Sequence, residues 1–258
     1  MKIETKIFAI AGLGLVLLLA QSKPVKELEL KVWTSRAIAT VLAEVGPQFE
    51  RASGYKLIIS SDLPTSFLRR ADAGESFDLL ISGSAPVDEW IKDRRLIPNS
   101  RADIARSGIG VEVRSGARKP DISSVEAFKQ ALLDAKSIAY LRVGSGVHVT
   151  GLIERFGISD AIKSKVTRPE TDIVSELVAK GEVELGIVVI TQILTTPGVE
   201  LVGSLPPEIQ SYVTFVAGIS ANAKAPKAAR ELINFLTGPI ALPVIKAQGM
   251  EPAKDFSK

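Results

Sequence analysis

Hydroxyl and glycine residues cluster at four places where strand-like runs give way to helical ones. They are Trp33-Thr34-Ser35-Arg36-Ala37, Ser60-Ser61-Asp62-Leu63-Pro64-Thr65-Ser66, Val143-Gly144-Ser145-Gly146-Val147-His148, and Thr167–Thr171 just before Ile173. A helix start presents unpaired N–H groups and the positive end of the helix dipole, so it favours an anion. Ser and Thr hydroxyls add neutral donors, and such a cradle can desolvate an oxyanion without a buried cation. Each junction taken alone also reads as an ordinary N-cap or turn. The candidate ligand-binding residues are Thr34, Ser35, Thr65, Ser66, Ser145, Gly146, His148 and Thr171. Arg36 and Arg142 lie beside two of the junctions. Pointing inward, either guanidinium would favour a carboxylate, which it matches with two parallel hydrogen bonds. Pointing outward, they leave a site of neutral donors.

Gly144-Ser145-Gly146 fits none of the glycine motifs that carry catalysis. Val149 stands where a dinucleotide fingerprint needs its third glycine, no Gly-Lys-Ser/Thr follows, and Val143 and Val147 replace the glycines of a nucleophile elbow. His148 is the only histidine. A Ser145–His148 pair on one helical turn is what a secreted serine hydrolase would use, and this is the alternative from another class. No orienting carboxylate lies near it in sequence, so no catalytic residue is expected. With no cysteine and one histidine, disulfides, thiolate sites and the usual zinc spacings are excluded. No metal and no cofactor are expected. Asp78 reads as a strand residue, and Asp88 and Glu89 as solvated helix residues.

The elements that must position these junctions alternate between strand and helix. Leu28–Trp33, Tyr55–Ile59, Phe77–Ile81, Ile109–Val113, Ser137–Leu141, Glu184–Ile190 and Tyr212–Ile219 read as strands. Between the first two, Ile38, Val41, Leu42, Val45 and Phe49 form the stripe of a helix packed on a sheet, with a kink expected at Gly46-Pro47. Further helices are read at Ser66–Ala73, from Ser84 as N-cap to about Arg94, after the capping box Ser123-Ser124-Val125-Glu126, and at Val147–Phe156, Thr171–Lys180 and Pro226–Leu236. This βα alternation makes an α/β fold with mainly parallel strands. No low-complexity linker is present, so any boundary between lobes is crossed by strands, near Val111 and Val213.

At the N-terminus, Lys2 and Lys6 precede an apolar run from Ile7 to Ala20. The run is about 14 residues, short of the roughly 20 that a span needs. It ends in the small-x-small pattern Ala20-Gln21-Ser22, so residues 1–22 read as a secretory signal peptide. The alternative is an uncleaved anchor. The net charge of +3 is spread without Lys/Arg blocks, so no nucleic-acid partner is expected.

Several stretches resemble the periplasmic molybdate-binding proteins of ABC importers. They are Leu28-Glu29-Leu30-Lys31-Val32, Phe49-Glu50-Arg51-Ala52-Ser53-Gly54, Ala73–Ser82, Ser137-Ile138-Ala139-Tyr140, Gly181–Val188, and Pro226–Arg230 with Phe235-Leu236-Thr237. The likeness covers about Leu28 to Pro252. It implies a two-lobed type II periplasmic-binding-protein fold, each lobe a mainly parallel sheet flanked by helices, with a ligand cleft between the lobes. By chain order, residues 23–111 and 214–258 would form one lobe and 112–213 the other. It also implies a monomeric periplasmic protein delivering a small anion to an ABC permease in the inner membrane. The anion would be a molybdate- or tungstate-like oxyanion, or alternatively a small organic carboxylate. A binding domain without a transporter fits the same residues. Thr65-Ser66 keeps the family's hydroxyl pair, while Ser145 and Thr171 fall where the family offers backbone N–H groups. Two ligand hydroxyls of the family are replaced, by Ala37 and Val189. Each lost partner of a charged hydrogen bond weakens binding by about 1.5–3 kcal/mol.

Overall fold

The computed structural model describes residues 28–253. The N-terminal apolar run and its cleavage site lie outside the described residues. The chain opens with β1 (Leu28–Thr34), α1 (Arg36–Ser53), β2 (Tyr55–Ser61), α2 (Pro64–Asp72), β3 (Leu79–Gly83) and α3 (Ser84–Lys92). β1 is parallel to both β2 and β3. The expected stripe of α1 is buried, from Ile38 to Phe49. α1 runs on through Pro47. The carbonyl that Pro47 leaves without a donor belongs to Ala43, on the exposed face where water can reach it. Gly54, at φ 75°, ends the helix in the left-handed conformation that glycine adopts freely. α3 is capped by Gly83, with Ser84 as its first residue, where the sequence suggested Ser84 as the cap.

The chain then crosses to the second half. β4 (Ala102–Arg114) is followed by α4 (Val125–Asp134), β5 (Ile138–Tyr140), α5 (Ser145–Arg155), α6 (Ser159–Ile162) and β6 (Val166–Thr167). Next come α7 (Val174–Lys180), β7 (Leu185–Val189), α8 (Ile190–Thr195) and β8 (Val199–Ser204). It returns through β9 (Tyr212–Ile219), α9 (Pro226–Leu236), α10 (Ala241–Ala247) and β10 (Glu251–Pro252). Ser124 caps α4, accepting the Ala127 N–H at 3.1 Å.

The parallel pairs are β1 with β2 and β3, and β5 with β6 and β7. Antiparallel pairing enters with the two strands that carry the chain across and back. β4 pairs with β9 from Ala102 to Gly108, then with β7 and β8 from Ile109 onward. Gln210 pins this change of partner: its Oε1 accepts the Ile109 N–H at 2.9 Å and its Nε2 donates to the Ile109 carbonyl at 3.0 Å. The boundary residues read from sequence, Val111 and Val213, lie on β4 and β9.

Each half buries its own core. Leu30, Val32, Ile38, Leu79, Phe215 and Leu232 belong to the first, and Val111, Phe128, Leu132, Ile138, Val149 and Ile187 to the second. A third cluster covers the other face of the second sheet. There Leu63, from the turn before α2, packs with Leu141, Val174, Val178, Val188 and Ile193. Apolar contact therefore joins the lobes. Asp78 is buried but fully used: it accepts the N–H groups of Lys31, Lys224 and Ala225 at 2.6–3.0 Å, tying the returning chain to β1. Among the described residues no helix is long and apolar enough to cross a membrane.

Candidate functional site

The end of β1 delivers three side chains to the seam between the lobes. Thr34 is fully buried, and its Oγ1 has no hydrogen-bond partner. Ser35 is the N-cap of the 18-residue α1, in extended geometry (φ −69°, ψ 157°) suited to capping, yet its hydroxyl makes no cap bond and is also buried and unpartnered. The N–H groups of Arg36 and Ala37 lie in the first turn, where a helix supplies no partner. A buried hydroxyl without a partner costs about 1–3 kcal/mol. Two side by side at a helix start are free to donate to an acceptor.

Arg36 reaches across the seam. Its guanidinium donates to Glu176 of α7, and its Nε lies 3.9 Å from Asp172 in the connection between β6 and α7. Asp172 is held from the far side by Gln192 of α8, whose Nε2 donates at 2.9 Å. Burial pushes the Asp172 carboxyl above its ordinary range. Arg36 and then the Gln192 bond pull it down, while Glu176 and Asp62 push it up. The second oxygen of Glu176 is buried without a partner.

Behind this group lies Glu112, near the C-terminal end of β4 and fully buried. One oxygen accepts the Ser175 hydroxyl at 2.9 Å, and the other has no partner. Burial pushes this carboxyl up to about 7; Ser175 lowers it, Glu176 and Asp172 raise it, and Arg36 lowers it. Room for the side chain comes from Gly186, its direct partner on β7, where any Cβ would overlap the carboxylate. Thr191, fully buried at the start of α8, adds another unpartnered hydroxyl.

The remaining sequence candidates are placed less centrally. Thr65 and Ser66 sit inside the first turn of α2, which starts at Pro64, with Thr65 exposed and Ser66 half-buried. Ser145 is buried as the first residue of α5. The Gly146 N–H already bonds the Val143 carbonyl at 3.1 Å, and its Cα faces the Leu141 carbonyl too closely for any side chain. His148 has its Nε2 2.8 Å from the Ile209 carbonyl, so this nitrogen holds the segment before β9 and does not engage Ser145. Thr171 is exposed, and α7 begins at Val174, beyond it. Arg142 donates to the Arg168 carbonyl at 3.0 Å. The structure thus joins Thr34 and Ser35 with Arg36, and adds Glu112, Asp172, Glu176 and Gln192, which the sequence reading passed over. A visible sign was Glu112 itself, a lone charge in the apolar run Ile109–Val113.

Among the described residues no group of three or more His, Asp or Glu side chains is arranged to hold a metal. A concavity of about 420 Å³ opens at the far end of the second lobe, between residues 118–121 and α4. Its Arg118, Lys119, Asp121, Asp134 and Glu184 mix both signs of charge, and no unpartnered buried polar atom faces it.

The family described as bacterial extracellular solute-binding protein matches residues 30–251. An aconitate isomerase from Pseudomonas sp is 31% identical over 229 residues, covering 86% of this chain and 87% of that protein. The molybdate-binding protein ModA of Azotobacter vinelandii is 25% identical, covering 92% of this chain and 94% of that protein. The solved periplasmic molybdate-binding protein of Azotobacter vinelandii superposes with a TM-score of 0.72 at 21% identity, covering 86% of this chain and 98% of that one. The resemblance to molybdate-binding proteins and the type II two-lobed fold are both borne out by these matches.

Proposed function

The chain belongs to the bacterial extracellular solute-binding protein family, and from that premise we propose that it captures a small organic acid bearing more than one carboxylate in the seam between its lobes. The observation that carries this reading is the pair of buried, unpartnered hydroxyls on Thr34 and Ser35, at the start of α1 and followed in the chain by Arg36. Helix N–H groups, hydroxyls and a planar guanidinium together suit a carboxylate. Ala37 and Val189 argue against the tetrahedral oxyanion, because both stand where molybdate-binding relatives offer hydroxyls. The name of the 31% identical relative points to a tricarboxylic acid as well. In this reading the protein is exported to the periplasm by its leader. It closes about β4 and β9, with residues 112–213 moving against the rest, and presents its cargo to an ABC permease.

The test is titration calorimetry with citrate, cis-aconitate, trans-aconitate and malate, beside molybdate, tungstate and sulfate. Binding of at least one carboxylic acid is expected to be at least about 100-fold tighter than of any inorganic anion, the margin that two missing hydroxyl contacts imply. Tighter binding of molybdate or tungstate would restore the oxyanion reading.

A second reading is that the chain isomerises such an acid. Its support is the relative's name together with Asp172 and Glu112, two carboxyls raised by burial beside Arg36. Proton NMR of cis-aconitate incubated with the protein decides it: growth of the trans isomer above the uncatalysed rate supports it, and unchanged spectra remove it.

A further inference from the structure

We infer that Asp172 is the specificity-determining residue of this site, sharing one proton with the bound acid and thereby disfavouring weakly basic anions such as sulfate. The inference rests on the organic-acid reading above and names what that site requires of its ligand.

The geometry is that of two claimants to one guanidinium. An anion seated on the Thr34 and Ser35 hydroxyls meets Arg36, which already has Asp172 3.9 Å from its Nε and Glu176 bonded to its NH1 group. The Asp172 side chain is only 17% exposed and is fixed from behind by Gln192. An ionised ligand carboxylate and an ionised Asp172 would then face each other as two acceptors, partly desolvated, with no hydrogen between them. Two carboxylates so placed do not both ionise. One proton between them turns repulsion into a short, charge-assisted O–H···O⁻ bond.

The charged groups around Asp172 make proton uptake the favoured outcome. Arg36 from α1 supplies positive charge. Asp62 from the connection between β2 and α2, and Glu176 from α7, supply negative charge; Glu112 from β4 lies behind them, and Gln192 from α8 is neutral. Burial acts on Asp172 in the same direction. A weak organic acid supplies or accepts the shared proton near neutral pH. A carboxylate is basic enough to share a proton with Asp172, whereas sulfate is a far weaker base and shares it poorly.

The experiment is calorimetry of the full mature chain with citrate, cis-aconitate, sulfate and molybdate, at about pH 5.5 and about pH 8, each in two buffers of different ionisation heat. Variants Asp172→Asn, Glu112→Gln and Glu176→Gln are run beside the unaltered protein. The expected result at the higher pH is uptake of about one proton per acid bound, with affinity falling up to tenfold per pH unit. Asp172→Asn is expected to abolish the uptake and flatten the pH profile, and to raise sulfate affinity at least tenfold. Glu176→Gln, which removes a negative charge that raises Asp172, is expected to lessen the uptake, and Glu112→Gln not to abolish it. Acids that bind without proton uptake overturn the inference and leave the organic-acid reading standing. Uptake that persists in Asp172→Asn but vanishes in Glu112→Gln moves the proton to Glu112 and likewise overturns it. An equal loss for every anion in Asp172→Asn marks a merely structural residue. If no carboxylic acid binds the unaltered protein, the reading and the inference fall together.

Discussion

Arg36, the first residue of α1 in one lobe, donates to Glu176 of α7 in the other and also faces Asp172, so one guanidinium ties the two halves together at the candidate site. The Arg36 and Glu176 side chains are 30% and 37% exposed. A pair that open to water adds little to fold stability, less than about 1 kcal/mol. Its importance lies in where it places a guanidinium. Arg36→Gln is therefore expected to leave thermal unfolding within a few degrees of the parent, while acid affinity measured by calorimetry falls by roughly 10–100-fold. A large drop in melting temperature with unchanged affinity would assign Arg36 to the fold.

Thr34 offers a cleaner separation of binding from stability. Thr34→Val keeps the side-chain shape and removes a buried hydroxyl that has no partner. The unliganded protein is expected to be unchanged or more stable by about 1 kcal/mol. Ligand affinity should fall roughly tenfold, since the acceptor loses one donor. Thermal melts with and without ligand report both effects. A destabilised unliganded variant would show that the hydroxyl has a structural partner after all.

Glu112 links stability to pH. Its carboxyl is held near 7 in the folded chain, against 4.5 for a free glutamate, chiefly by burial. The folded state therefore binds the proton more tightly than the unfolded state. The stabilisation is complete below about pH 4.5 and is lost as pH rises through about 7. The loss amounts to roughly 3 kcal/mol. Glu112→Gln keeps an oxygen for Ser175 and cannot ionise. Urea unfolding at about pH 5 and about pH 8 should show the parent weakening at the higher pH and the variant holding steady. Parallel pH profiles would remove Glu112 as the titrating group.

Gly186 and Glu112 are predicted to be coupled. Gly186→Ala places a methyl on the Glu112 carboxylate and is expected to destabilise by about 1–3 kcal/mol. Combining it with Glu112→Ala should recover at least about 1 kcal/mol relative to simple addition, measured as a double-mutant cycle. Additive effects would mean that the two side chains do not compete for one space.

Leu63 tests closure. It leaves the first lobe to pack among Leu141, Val174 and Val188 of the second. Leu63→Ser should disfavour the closed arrangement by about 2 kcal/mol, weakening ligand binding roughly 30-fold while far-ultraviolet circular dichroism stays unchanged. Small-angle scattering of the unliganded variant should give a larger radius of gyration than the parent.

Much of the scaffold was legible as local pattern. The α1 stripe, the bounds of β9 and α9, and the hydroxyl-rich start of α1 follow from side-chain period and turn chemistry, which act over a few residues. α8 was not legible. The β-branched Ile190 reads as the end of the preceding strand, whereas in the structure it starts a helix that buries Ile193 with Val188 and Val178. β6 has two residues, and β8 pairs only with β4, so their identity depends on the partner they find. Within the site, Thr34 and Ser35 were found because a helix start is a local feature. Gly146 and His148 were placed at the same kind of junction, but each has a backbone carbonyl as its partner, a choice made by packing.

By itself the sequence determined an α/β chain with donor-rich helix starts, no cysteine chemistry and an apolar leader-like terminus, because composition and short-range periodicity carry that information. Only the tertiary structure decided which charges meet. Arg36 lies far along the chain from Asp172 and Glu176, and Glu112 comes between them in sequence. Their encounter depends on how β4 and β9 lay one lobe against the other. Burial and the electrostatics that follow from it are properties of that arrangement, and no local pattern encodes them.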